Sequence, residues 1–476
     1  MSTFIKFSVE QLEEQHLSKL REIGRQIGVK APAAKNKNQL IKDIVGIQNG
    51  TVDPEPQNKR GAPTKIVIDV SEFYVKSRLY DDKPIKSEVI FHDVVYDKNE
   101  DEGKESATIV EGVLEQHISG YGFLRANNYE NSRDDAYISQ QNIRKYNLRR
   151  GDKVKAYVKV VKEGETAAVQ EVISVNDLDP KLFLKRENFD DLIPYYPTDR
   201  IRLETDSSAV ALRYIDLFAP LGMGQRGLIV APPKTGKTTL LKMIAQSIEK
   251  NHKDVKLIVL LVDERPEEVT DIKRSVNGEV VFSTFDESAE HHIRAAELVI
   301  NRAKRLVEVG KNVVILMDSV TRLARAYNNT VESSGKTLSG GLDPAAMYGP
   351  KRFFGAARNI ENGGSLTILS TALIETGSRM DDVIYEEFKG TGNMEIHLSR
   401  ELSERRIFPA IDLNKSGTRR EDLLLTEKEI DVTKKLRKIL SECSDATDSL
   451  LDMLKKTKDN QDLASRVDAW LKLYSK

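Results

Sequence analysis

"LIVAPPKTGKTTLLKMIA" spans residues 228–245 and decides the fold. A short apolar run ends at two prolines, passes through Gly-Lys-Thr and continues as an amphipathic stretch. That order predicts a buried strand, a phosphate-binding loop and a helix. Two residues depart from the usual G-x-x-x-x-G-K-[ST] pattern. Ala231 stands where the first glycine is expected, and Pro232 and Pro233 follow it. Proline has no N–H to give a phosphate. The donors that matter come later, where the loop turns into the helix, from Lys234, Thr235, Gly236, Lys237, Thr238 and Thr239. The prolines sit at the strand exit and stiffen it, with Pro233 at the edge of the expected ATP site. Lys237 can reach the β- and γ-phosphates, Thr238 can offer its hydroxyl to Mg²⁺, and Lys234 adds a second cation.

Outward from this stretch the rhythm is strand and helix in alternation. "KLIVLLVDE", "NVVILMDS" and "SLTILSTAL" read as further buried strands, and "AEHHIRAAELVINRAKRLVEVG" as a long amphipathic helix. Such alternation implies a parallel sheet covered on both faces, hence an α/β core. Two strands end in acids. Asp318 closes "VVILMD" and suits a Walker B carboxylate that holds Mg²⁺ through water. Asp263, Glu264 and Arg265 close "IVLLVDER", and Glu264 is the expected general base. One acid at a strand end is unremarkable; two beside a phosphate loop point to nucleotide hydrolysis.

The flanks differ from this core. With 476 residues the chain has room for about three domains. Residues 1–48 read as a small helical module, with Leu12, Leu20, Ile23 and Ile27 near one helix face. Docking and nucleic-acid contact are equally open for it. Residues 49–106 read as a linker or insertion: 49–64 are rich in Pro, Gly and charge, and 65–105 hold some β-prone pieces and end in a charged run. Residues 107–177 carry five short strand-like runs, which suit a small barrel of the OB type. Residues 178–425 hold the ATPase core, and 426–476 are helical and polar. Basic and acidic residues nearly balance, 73 against 74, so only local patches can speak for nucleic acid. The single cysteine, Cys443, rules out an internal disulfide and fits a reducing compartment. No signal peptide and no membrane span are expected. In "GYGFLR", Tyr121 and Phe123 fall on one face of a strand with Arg125, either as barrel core or as exposed rings for unpaired bases.

Several longer stretches, among them "VDERPEEVTDI", "DSVTRLARAYN", "PKRFFGAARNIENGGSLTILSTALIETGSRMDDVIYEEFKGTGNMEIHLSR" and "RRIFPAIDLNKSGTRREDLL", closely resemble the bacterial transcription termination factor Rho family. The resemblance runs over residues 109–425, with a looser match at 7–48. It implies a homohexameric ring of RecA-like P-loop ATPase domains, each with an OB (cold-shock-like) barrel and a small N-terminal helical module. It implies ATP-driven 5′→3′ movement on single-stranded RNA, unwinding of RNA–DNA hybrid and release of RNA from RNA polymerase. A cytoplasmic setting follows, with an elongation factor such as NusG as a candidate helper. The resemblance assigns Arg419 as an arginine finger reaching a neighbour's γ-phosphate, Arg406 as a sensor arginine, Arg265 as the arginine beside the base, and Phe408 as the adenine platform. It places Tyr121, Phe123, Arg125, Asp135 and Tyr137 in a primary RNA site. It places Lys336, Ser339 and Lys389 on loops that line a central pore. Where this chain has Ala167 the family often has an aromatic residue, so one stacking partner is missing.

Two other readings compete. A rotary ATP synthase-type subunit shares the core, but would have a more Gly-rich phosphate loop and no exposed aromatics on its barrel. An RNA-binding protein with a vestigial ATPase would not need Lys237, Thr238, Glu264, Asp318 and Arg419 together.

Overall fold

The computed structural model describes residues 12, 20, 23–24, 29–30, 35–48, 108–159, 166–442 and 446–474. The linker expected at 49–106 and most of the first helix expected at 7–29 lie outside these residues. The chain divides into two compact units, Met1–Asp97 and Lys98–Lys476.

In the first unit, helix α1 (Lys37–Gln48) starts from a reciprocal cap. Gln39 N donates to Asn36 Oδ1 at 3.0 Å, and Asn36 N donates to Gln39 Oε1 at 3.2 Å. Leu12, Leu20 and Ile23 are buried with Leu40 and Ile44 in one small apolar cluster.

The second unit opens with a closed barrel. Its strands are β1 (Thr108–Gln116), β2 (Gly122–Arg125), β3 (Ala136–Ile138), β4 (Lys153–Lys159) and β5 (Ala167–Val175), in the order β1-β2-β3-β5-β4. All five runs expected from the sequence form strands. Leu114, Leu124, Ala136, Ile138, Val154, Ala156 and Val158 fill the inside.

The larger layer is a twisted sheet. Its main run is built from β6 (Arg226–Ala231), β7 (Lys256–Glu264), β8 (Glu279–Thr284), β9 (Asn312–Asp318), β10 (Ser365–Leu373), β11 (Met394–Leu398) and β12 (Ile411–Thr418). The order is β8-β7-β9-β10-β6-β11-β12, parallel throughout except for antiparallel β12. Strands β8, β11 and β12 were not anticipated from the sequence. Alternate residues of each central strand enter opposite cores. Ile229, Leu257, Val259, Val314 and Leu316 face one, whereas Leu228, Val230, Ile258, Val313 and Ile315 face the other. Burial on both sides explains why these strands read as unbroken apolar runs.

Helices cover both faces. On one face lie α2 (Lys237–Asn251) and α3 (Pro266–Ser275); on the other lies α4 (Ala289–Val307). Helix α5 (Val320–Thr330) follows β9, and α6 (Arg379–Lys389) follows β10. The C-terminal helices α7 (Glu427–Glu442), α8 (Ala446–Lys456) and α9 (Asn460–Tyr474) add Leu436, Leu450, Leu454 and Leu463 to the same core as α2. Fully buried Arg213 pins α8 and α9. It donates to Leu454 O at 2.7 Å, Thr457 O at 3.0 Å and Asn460 Oδ1 at 3.1 Å. A buried guanidinium is tolerated only with such partners.

Candidate nucleotide and RNA sites

The phosphate loop leaves β6 at Ala231, at the carboxyl edge of the sheet, where open α/β folds bind ligands. Thr235 Oγ1 donates to Pro232 O at 2.8 Å and closes the turn. The turn thus spans 232–235 and includes both prolines, which the sequence placed upstream at the strand exit; the residues after them keep their N–H groups. Lys234 (φ 65°) and Gly236 (φ 89°) take left-handed backbone, and Gly236 caps α2. A Cβ on Gly236 would meet no atom within 4 Å, so the glycine serves the backbone angle and leaves open space where a phosphate would lie.

Lys237, the first residue of α2, turns back over the sheet. Its Nζ donates to Asp318 Oδ2 at 2.6 Å and lies 3.5 Å from Glu264 Oε2. Burial alone would lower the Lys237 ammonium, but the Asp318 and Glu264 carboxylates outweigh it and raise it above the ordinary lysine value. Asp318 is fully buried at the end of β9 and also accepts from Thr371 Oγ1 at 2.7 Å. Glu264 ends β7 just after a bulge at Asp263, whose φ is 55°. The extra residue re-aims the chain, and Glu264 is only 1% exposed. Burial, then the negative Asp318, push its carboxyl above the ordinary value; Lys237 and Arg322 act in the opposite direction. A carboxylate raised in this way is a stronger base toward water than an ordinary glutamate.

Three participants carried no local signal in the sequence. Glu268, on the first turn of α3, accepts from Thr238 Oγ1 at 2.9 Å. Arg322 on α5 lies 3.5 Å from Asp263 and 3.6 Å from Glu264. Thr371 comes from β10, two strands from β7. The donors here are a hydroxyl and carboxylates, a hard oxygen set that fits Mg²⁺. Among the described residues no group of three or more acidic, His or Cys side chains forms a metal cage of its own.

The remaining ATP-site candidates fall in different places. Arg265 is exposed at the start of α3, and its N–H donates to Glu264 Oε1 at 3.2 Å. The short helix Arg400–Glu404 touches the phosphate loop, with Ser403 Oγ donating to Lys234 O at 3.1 Å. Arg406 and Phe408 follow it on that edge of the sheet, and Phe408 is 49% exposed. Pro233 and Thr239 are exposed on the loop and on α2. Arg419 lies elsewhere. It follows Thr418, which is level with Met394 and so with Gly227, at the far end of β6 from the loop. The eight residues of β12 span roughly 25 Å. The fold therefore does not bring Arg419 to the phosphate loop of its own chain.

Lys336 and Ser339 are exposed on the segment after α5. Lys389 is not in a loop, as the Gly-rich "KGTG" suggested, but is the last residue of α6. Gly340 packs against Met380 at the start of α6; a Cβ there would come within 2.6 Å of Met380 N. The segment that carries Lys336 and Ser339 thus reaches the start of α6 at Gly340, whereas Lys389 is at the other end of that helix. Helices α5 and α6 are tied by Arg325, which donates to both Asp381 oxygens at 2.7 Å.

On the barrel, Tyr121, Phe123 and Tyr137 stand outside the core in mutual contact. Ring centroids are 5.8–6.0 Å apart, and Tyr137 is 36% exposed. His117 stacks on Tyr121 at 4.8 Å. The core reading of these rings is therefore excluded. Two expectations change. Arg125 is not a free cation, for it donates to Glu115 Oε2 at 2.7 Å and to Asp135 Oδ2 at 2.6 Å. Asp135 does not line an open pocket: it is 4% exposed and also accepts from Ser132 N and Ala126 N. The rim position also shifts. Ala167 is in register with buried Ala136 and packs on the barrel core, whereas Ala168 is level with Tyr137.

The nucleotide-binding domain of the ATP synthase alpha/beta family matches residues 211–418, and the RNA-binding domain of the Rho termination factor matches 110–181. Transcription termination factor Rho of Bacillus subtilis (strain 168) is 56% identical over 385 residues, covering 80% of this chain and 89% of that protein. The chain belongs to the transcription termination factor Rho family. The Rho protein of Escherichia coli (strain K12) is 54% identical over 360 residues, covering 74% of this chain and 86% of that one. A prototypical ATPase from the type III secretion system of pathogenic bacteria shares the fold, with a TM-score of 0.50 at 23% identity over 63% of this chain and 94% of that one. Barrel and sheet are therefore an RNA-binding domain and an ATPase-type nucleotide-binding domain on one chain. No helix among the described residues is long and apolar enough to cross a membrane.

Proposed function

We propose that the protein is an RNA-dependent ATPase that terminates transcription from the cytoplasm. It binds nascent single-stranded RNA, moves 5′→3′ along it, unwinds the RNA–DNA hybrid and frees the transcript from RNA polymerase, with a NusG-type factor as a candidate helper. The observation that carries this reading is the convergence of Lys237, Asp318 and Glu264 at the sheet edge, on a chain whose barrel displays Tyr121, Phe123 and Tyr137. ATP sits with its phosphates on Lys234–Thr239 and its base on Phe408. Thr238 and Asp318 hold Mg²⁺, which supplies charge neutralisation at the transferring phosphoryl group. Glu264 takes the proton of the attacking water, with Arg265 beside it and Arg406 near the phosphates.

Arg419 serves a neighbour. Its distance from the phosphate loop of its own chain supports an arginine finger acting in trans and hence a ring, taken here as a homohexamer. Lys336, Ser339 and Lys389 grip RNA phosphates in the centre of that ring. The test is ATP turnover with poly(C), with poly(U) and without RNA. Stimulation by RNA is expected, and turnover indifferent to both polymers would overturn the reading.

A further inference from the structure

Glu115, Phe123 and Tyr137 are in register across β1, β2 and β3 and share the outer face of the barrel. The next rung, Val113 opposite Arg125, is on the same face, and Val113 is buried in the core of the nucleotide-binding domain. The aromatic surface thus runs without a break into the seam between the two domains.

A chain of charges lies along that seam. Arg294, on α4, donates to Glu115 Oε1 at 2.8 Å through Nε and to Oε2 at 2.7 Å through Nη2. Glu115 Oε2 also accepts from Arg125 Nε at 2.7 Å. Arg125 lies 5.0 Å over the Phe123 ring, and its other side meets Asp135. Arg294 also donates to Asn131 Oδ1 at 3.2 Å. Nearby, Asn128 bonds both Phe282 N (3.0 Å) and Phe282 O (2.9 Å) on edge strand β8, whose neighbour β7 ends in Glu264.

We propose that Arg294 is a positioning residue for RNA capture: from the nucleotide-binding domain it fixes Glu115, which fixes Arg125 against Phe123. This rests on the RNA reading of the barrel given above. A forked guanidinium satisfies both Glu115 oxygens at once, and an ammonium cannot. Without the fork, Glu115 keeps only Arg125, and the platform under Phe123 loosens. RNA affinity then depends on a residue outside the barrel.

The test is binding of a fluorescent short oligocytidylate to the full chain, with ATP turnover measured in parallel. Arg294→Gln and Glu115→Gln are each expected to weaken binding about three- to tenfold. The double variant is expected to be no weaker than either single one, and Arg294→Lys not to restore binding. The RNA concentration for half-maximal turnover rises by the same factor while the maximal rate holds, and the salt dependence of binding matches the parent. Unchanged affinity in Arg294→Gln overturns the proposal. So does a salt slope reduced by about one, which would make Arg294 a direct phosphate contact. If the parent captures no RNA, the reading of the barrel fails first; if the parent captures RNA and Arg294→Gln does so equally well, this proposal alone fails.

Discussion

Lys237 holds two buried carboxylates, Asp318 and Glu264, and stands where a phosphate would enter. Lys237→Ala removes the cation that both the acids and the nucleotide need, so ATP turnover is expected to vanish in a steady-state assay. Glu264→Gln keeps the shape but cannot accept a proton. A loss of about 10²–10⁴ in kcat with ATP binding retained is expected; hydrolysis at the parental rate would remove Glu264 from the role of base. The pH profile gives a second check. Burial and Asp318 raise the Glu264 carboxyl above 4.5, so the base becomes protonated, and the rate falls, at a pH higher than an ordinary glutamate would give. An acid limb of kcat at or below 4.5 would contradict that placement. Phe123 belongs to the same scale. Phe123→Ala is expected to cost about 1–3 kcal/mol in RNA affinity without changing the maximal ATPase rate.

At the scale of elements, the loop and the strands that carry the acids were legible because a strand buried on both faces leaves an unbroken apolar run, and "GLIVA", "KLIVLLVDE" and "NVVILMD" each do. Strands β8, β11 and β12 leave no such run, because "EVVFST", "MEIHL" and "IDLNKSGT" mix apolar with polar residues. Lys389 looks like a loop residue in the sequence because glycine follows it directly, and a helix end and a turn look alike there. Glu268, Arg322 and Thr371 had no signature, since a parallel sheet brings together residues far apart in the chain. Arg125 and Asp135 had the look of RNA contacts, yet opposite charges on neighbouring strands satisfy each other first. One test belongs to the elements after β9 and β10. Lys336→Ala is expected to leave nucleotide binding intact and to reduce RNA-stimulated turnover severalfold. Unchanged stimulation would remove that segment from the RNA path.

For the whole molecule the decisive feature is a separation. Lys237, Glu264 and Asp318 crowd one edge of the sheet, while Arg419 sits at the other. In the proposed reading a finger placed there would complete a neighbour's site, so hydrolysis is expected to depend on assembly and on RNA. Size-separated assemblies and lone protomers, each assayed for ATP turnover with and without single-stranded RNA, probe this directly. Rapid turnover is expected only from the assembled ring with RNA present. A folded protomer that hydrolyses ATP at the full rate, alone and without RNA, would contradict the account.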